Sequence, residues 1–359
     1  MARVLVCTND STFTPSLYHA YRARGDDVVV GVSNLDPKIG RFDVVHLHWP
    51  EELVQYQLDE YSANRVLNLL DWWRQRAVLV ASVHNLVPHE EDEIGGPWAT
   101  FFRQFYERVH LLCHFSEYSR RRFKEVYPSL QKIKNVIYPL NRYDHLRPLS
   151  TGRENARRAL GLPDNAPVFA VCGTLRKFEE ISLIRKAWRR FDRPDARLLF
   201  AARAPAGKRY LRRAADMLVQ RLWERDSRVL RFGPYANDEL LVRLVEAADA
   251  MLVPRLGHHL NSGLIPLAFT FGTPVVAPDS GANREIVPLP MNELYDMGDP
   301  GSLVAAMKRQ LRKGPSACQD VLRHAEGLGW GKMLDVIWPH VIELSRERPS
   351  GEASSGPVC

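Results

Sequence analysis

Short apolar runs recur along the chain, each followed by a polar turn and then a longer amphipathic stretch. In the first part these runs are RVLVC, DDVVVGV, DVVHLHW, AVLVASVH and VHLLCHFS; in the second they are PVFAVCG, ARLLFAA, RVLRFG, DAMLVP and TPVVAP. Strands that read as near-continuous apolar runs and alternate with helices belong to parallel sheets covered on both faces. The pattern predicts an α/β chain of two Rossmann-like, doubly wound domains. A stretch rich in Pro and turn residues, 138–168, separates the two series, which places the boundary near 148. Residues 1–148 then form the first domain and 149–329 the second. A Trp-bearing helix over 330–346 is expected to return toward the first domain, and 347–359 has the composition of a disordered tail.

In wound sheets ligands bind beyond the carboxyl ends of strands. The unusual polar turns all fall there: HLHWPEE and HNLVPHEEDE in the first half, GTLRKFEE, PRLGHHLNSG and PDSGANRE in the second. Two sets of loops, one per domain, imply a cleft between domains. The segment HLNSGLIPLAFTFGTPVVAP reads as a polar turn, a helix, a Gly stop and a buried strand. Asn261, Ser262 and Gly263 open that helix, and Pro266 lies in or near its first turn, where a missing N–H costs little. Such a start is suited to an anion.

Composition narrows the choice. The 359 residues are 45% hydrophobic and 25% charged, ordinary for a soluble globular enzyme. Five dispersed Cys without CxxC or His-Cys spacing argue against a disulfide frame or zinc site and for a reducing cytoplasm. MARVLVCTND turns polar too quickly for a signal peptide, and no run approaches the roughly 18 apolar residues of a membrane span. The net charge of +7 suits a phosphorylated substrate or anionic lipid, and no nucleic-acid-binding pattern accompanies it.

The pieces DVVHLHWPE, VHNLVPHE, CGTLR, AADAMLVP and NSGLIPLAFTFGTPVVAP together resemble the GT-B glycosyltransferases, closest to the bacterial exopolysaccharide group that includes the β-mannosyltransferase type of xanthan assembly. The resemblance implies transfer of a sugar from a nucleotide donor to a lipid-linked glycan at the inner face of the cell membrane. The donor would lie in the second domain and the acceptor in the first, with neither metal nor other cofactor. Donor contacts then fall on Gly173, Arg176, Lys177, Arg255, Asn261, Ser262, Gly263, Asn283 and Glu285. Arg176 would neutralise the departing diphosphate. Two departures stand out. The glutamate pair of many retaining members is replaced by His259 and Leu267, and Glu179-Glu180 stand where the usual loop has Lys-Gly. Loss of the pair favours inversion, with GDP-mannose as the expected donor. The alternatives are a retaining enzyme using a UDP-sugar, a sugar-nucleotide epimerase, and a non-catalytic binding protein.

An inverting enzyme needs a base near the acceptor hydroxyl. The acidic loop HNLVPHEEDE supplies Glu90 or Asp92 first and His84 next, with Glu51 as a further contender. His46 and His48 share one strand face without a third ligand at metal spacing, so His48 and Glu51 are read as acceptor contacts. Finally, Trp98, Phe101, Phe102, Phe105 and Tyr106, followed by Arg120, Arg121, Arg122 and Lys124, read first as a core helix followed by a charged one, and alternatively as a partly exposed interfacial surface on anionic lipid.

Overall fold

The structure, a computed structural model, describes residues 1–88, 95–163, 165–205, 214, 217–219, 221–223 and 226–347. The chain forms two compact units, Met1–Asn141 with Leu328 onward, and Arg142–Gly327. The break precedes position 148 because the chain is already tied into the second unit there: Tyr143 N donates to Thr270 Oγ1 (2.9 Å) and Thr151 N to Glu246 Oε2 (3.1 Å).

In the first unit β1 (Arg3–Cys7), β2 (Asp27–Val30), β3 (Val44–Leu47), β4 (Val78–Ser82), β5 (Leu111–His114) and β6 (Lys134–Ile137) make a parallel sheet in the order β2-β1-β3-β4-β5-β6. The central strands β3 and β4 are buried at every position, as both-face coverage requires. Helix Trp330–Glu347 belongs to this unit. Its Trp330 stacks on Phe13 (5.4 Å between ring centroids), and the Arg24 guanidinium lies 3.5 Å over the Trp338 ring.

The second sheet is also parallel: β7 (Val168–Thr174), β8 (Arg197–Arg203), β9 (Val229–Arg231), β10 (Ala250–Leu252), β11 (Val275–Pro278) and β12 (Glu293–Tyr295), ordered β12-β11-β10-β7-β8-β9. Phe169, Trp188, Phe191, Phe200 and Trp223 fill its main core. Asp249 ties the amino end of the sheet, accepting from Val168 N (2.7 Å) and Arg157 Nη2 (2.9 Å).

One feature departs from the sequence reading, and another decides between its alternatives. The edge strands β6 and β12, KNVI and ELY, escape the apolar pattern because polar residues take up too many of their few positions, whereas the other two edges, β2 (DVVV) and β9 (VLR), read as apolar runs. The aromatic segment forms helix Pro97–Glu107, whose Phe101, Phe102, Phe105 and Tyr106 are buried while Trp98 is half-buried. Spacings of i, i+3, i+4, i+7 and i+8 are one face of a helix, so the rings enter the core instead of lipid. Behind them Arg120 pairs with Glu117 and Arg122 with Glu125.

Candidate active site

Each sheet reverses its winding once. In the second unit the chain goes from β7 outward through β8 and β9, then crosses back to β10 on the other side of β7. Loops leaving β7 and β10 therefore flank the switch point, where α/β sheets bind ligands. Glu180, fully buried on helix Phe178–Arg190, ties these loops together. Its Oε2 accepts from Arg176 N (2.8 Å) and from Arg255 Nη1 (3.3 Å), and its Oε1 accepts from Leu256 N (3.1 Å). Arg255 Nη1 also donates to Thr174 O (2.7 Å).

Arg176 Nη1 lies 3.2 Å from His259 Nδ1, and His259 Nε2 lies 3.2 Å from Leu256 O. A guanidinium only donates, so Nδ1 accepts and Nε2–H donates to the carbonyl. That neutral tautomer is held by burial and then by the two cations, which bring the imidazole down to about 4. Burial, followed by Arg255, pulls Arg176 down to about 10, still cationic at neutral pH. Glu180 holds the Arg255 guanidinium and the Arg176 backbone N–H, so one carboxylate stands against two cations, and the surplus positive charge sits where the fold receives a ligand.

The third loop, after β11, packs on the second. Gly281, at φ +57°, would place a Cβ 2.6 Å from His259 O and 2.8 Å from His259 N. Ala282 N donates to His259 O (3.1 Å), and Ser280 Oγ to Gly257 O (3.2 Å). Helix Leu264–Thr270 starts from Gly263, with Ile265 N donating to Ser262 O and Leu267 N to Gly263 O. Since Pro266 lacks an N–H, the first-turn donors beyond the helix's own needs are those of Gly263 and Leu264.

The first unit carries a second polar cluster at its own switch point, between β1 and β3. Glu52 Oε2 accepts from Thr8 Oγ1 (2.8 Å) and Asn9 N (2.9 Å), and Asn85 Nδ2 donates to Glu51 Oε1 (3.0 Å). The other Glu51 oxygen has no partner among the described residues. Burial, opposed by hydrogen bonds from the backbone and Asn85, raises this carboxyl to about 7. His46 bridges Tyr21 (3.0 Å) and Ser82 (2.9 Å), and His48 Nδ1 meets His84 Nε2 at 3.1 Å. Burial lowers His46 to about 3 and His48 well below its ordinary value, so both are neutral. Among the described residues no group of three or more His, Cys, Asp or Glu is placed to hold a metal ion.

Residues 166–313 match the family of glycosyl transferases group 1. The chain carries a group 1 glycosyltransferase domain. It is 26% identical over 286 residues to the GDP-mannose:glycolipid 4-beta-D-mannosyltransferase of Xanthomonas campestris pv. campestris, covering 77% of this chain and 74% of that protein. A D-inositol 3-phosphate glycosyltransferase of Saccharomonospora viridis is 30% identical over 210 residues, 54% of this chain and 46% of the relative. Among solved structures, sucrose-phosphate synthase from Thermosynechococcus elongatus superposes with TM-score 0.68 at 16% identity, over 96% of this chain and 98% of that one. Anabaena Alr3699/HepE in complex with UDP and glucose gives 0.61 at 13%, over 97% and 98%. The fold is GT-B, and the chain is a nucleotide-sugar-dependent glycosyltransferase.

In this glycosyltransferase Gly173 lies near the end of β7 itself, and Arg176, Arg255, Asn261, Ser262 and Gly263 lie on the loops leaving β7 and β10. The other three expected donor contacts are placed differently. The Lys177 side chain is exposed at the start of helix Phe178–Arg190. Asn283 is buried and its amide donates to Pro278 O (3.0 Å), a role in shaping the loop. Glu285 is exposed on the one-turn helix Asn283–Ile286. Glu90 and Asp92 lie outside the described residues, and His84 is buried against Trp49 and Phe115. Sequence reasoning noticed Glu180 only as a departure. Its signal was position: Glu180 shares the apolar stripe of Ile184, Ala187 and Trp188, where a carboxylate has to find partners. His259, seen only as a missing glutamate, is the group that holds Arg176.

Proposed function

We propose that the glycosyltransferase moves mannose from GDP-mannose onto a lipid-linked glycan, with inversion. The observation carrying this is Arg176, oriented by His259 and backed by Arg255 on Glu180, beside the opening turn of helix Leu264–Thr270. Such a cluster suits the charge that grows on a departing diphosphate. The mannosyltransferase relative supplies the donor and the acceptor class, and His259 and Leu267 in place of glutamates support inversion.

The acceptor oxygen attacks C1 as the bond from C1 to the diphosphate oxygen breaks, and the hydroxyl proton passes to a carboxylate. Among the described residues Glu51 is the choice for that base. One of its oxygens is fixed by Asn85, the other is unpartnered, and its proton affinity lies near neutrality. Donor identity is tested by the melting shift in GDP, UDP and dTDP, and mechanism by proton NMR of the product. GDP should stabilise most, and an α-linked donor should yield a β-glycoside. Stronger stabilisation by UDP with an α-linked product would replace this reading by a retaining, UDP-dependent one. Glu51→Gln should lower kcat by ~10²–10⁴-fold with donor affinity intact. Full activity there, with loss on replacing Glu90, Asp92 or His84, would move the base to that residue.

A further inference from the structure

The second unit has a groove remote in character from the polar loops. Phe178, Ile181, Leu218, Val219 and Leu222 form its apolar lining, enclosing about 300 Å³, and Arg185, Lys186 and Arg189 stand along it. Phe178, Ser182, Arg185 and Arg189 share one face of helix Phe178–Arg190 by their spacing. Large apolar side chains remain in water here: Phe178 is 54% exposed, Leu218 56% and the adjoining Met217 60%. None of the described lining residues is acidic. A monomer gains nothing from a contiguous exposed apolar patch, which marks a binding surface instead.

We propose that this groove docks the chain on anionic phospholipid. The apolar lining takes acyl or headgroup-proximal carbon, and the three cations meet lipid phosphates, the two halves of an interfacial site. Charge chooses the occupant. A two-fold contact between copies would press the same cations against each other, whereas an anionic bilayer supplies apolar and negative surface together. The surface differs from the alternative one read at 98–124, whose rings are in the core. It stands independently of the sugar chemistry proposed above.

Flotation with vesicles tests it. The full chain should float with phosphatidylcholine vesicles containing phosphatidylglycerol, less with phosphatidylcholine alone, and less as salt is raised. Arg185→Glu with Lys186→Glu, and separately Leu218→Ser, should each cut binding to the anionic vesicles by about tenfold or more. The variants should keep the wild-type melting temperature and nucleotide-induced shift, which separates loss of docking from misfolding. Equal flotation of variants and wild type, or no wild-type binding, overturns the proposal. So does loss on altering Arg121 and Lys124 but not the groove. Concentration-dependent dimerisation that Leu218→Ser abolishes would make the groove a self-contact and overturn it as well.

Discussion

Arg176 does different work from the many surface arginines of this basic chain, because both its backbone and its side chain are held. Glu180 accepts its N–H and His259 accepts from its guanidinium. Arg176→Ala should therefore weaken nucleoside-diphosphate binding by roughly 1.5–3 kcal/mol, the scale of a charged hydrogen bond. Calorimetric titration reads this directly, and an unchanged affinity would remove Arg176 from the site. Glu51 makes a pH-dependent prediction. Its folded carboxyl titrates near 7 against an ordinary 4.5, so the folded state keeps a proton that the unfolded chain has already lost. Stability from the neutral form is present below about pH 4.5 and is lost as pH rises through 7. Glu51→Gln keeps the Asn85 contact without the buried charge. Its stability relative to wild type should then rise by about 2–3 kcal/mol between pH 4 and pH 8, by denaturant titration. Parallel curves for the two proteins would count against the buried-carboxyl reading.

At the scale of elements, ten strands were legible, the eight interior ones and the edges β2 and β9, since burial writes itself as runs of apolar residues. The edges β6 and β12 were not, because KNVI and ELY give polar residues a large share of their three or four positions. Helix starts and loop positions were legible, yet which side chains the loops use internally was not. Arg255, Asn283 and Glu180 look alike in sequence as polar loop or helix residues, and only their distances separate an orienting role from a ligand-facing one. The contact between the β10 and β11 loops is a case in point, since it depends on a glycine meeting backbone. Gly281→Ala forces a Cβ into His259 O and N and asks a non-glycine residue to hold φ +57°. We expect a loss of about 2 kcal/mol or more in stability together with weaker nucleotide binding, since His259 moves with its loop. A wild-type melting curve for this variant would mean that the two loops are not packed as described.

The whole molecule is built discontinuously. The first unit opens at Met1, is left at Asn141, and is completed only by Leu328 onward. Helix Trp330–Glu347 buries Trp330, Met333, Leu334, Ile337 and Val341, with Asn141 Nδ2 donating to Met333 Sδ (3.4 Å) and Tyr138 OH to Gly329 O (3.0 Å). Each such apolar side chain is worth about 1.5–3 kcal/mol when fully buried, so their joint loss exceeds the margin of a typical domain. A chain stopped after Gly327 should bind 8-anilinonaphthalene-1-sulfonate and lose its first unit to proteolysis. A protected first unit in that truncation would show that the helix is dispensable.

The order of elements also sets the order of birth on the ribosome. Everything from Arg142 to Gly327 must be translated before the first unit receives its last helix. At about 5–20 residues per second that interval is on the order of 10–40 s. During it the surface awaiting Trp330 and Ile337 is unmet, while the second unit, continuous in the chain, has everything it needs. The later-encoded half therefore matures first, and an aborted message leaves a folded second unit attached to an unfinished partner, a natural substrate for chaperones and proteases.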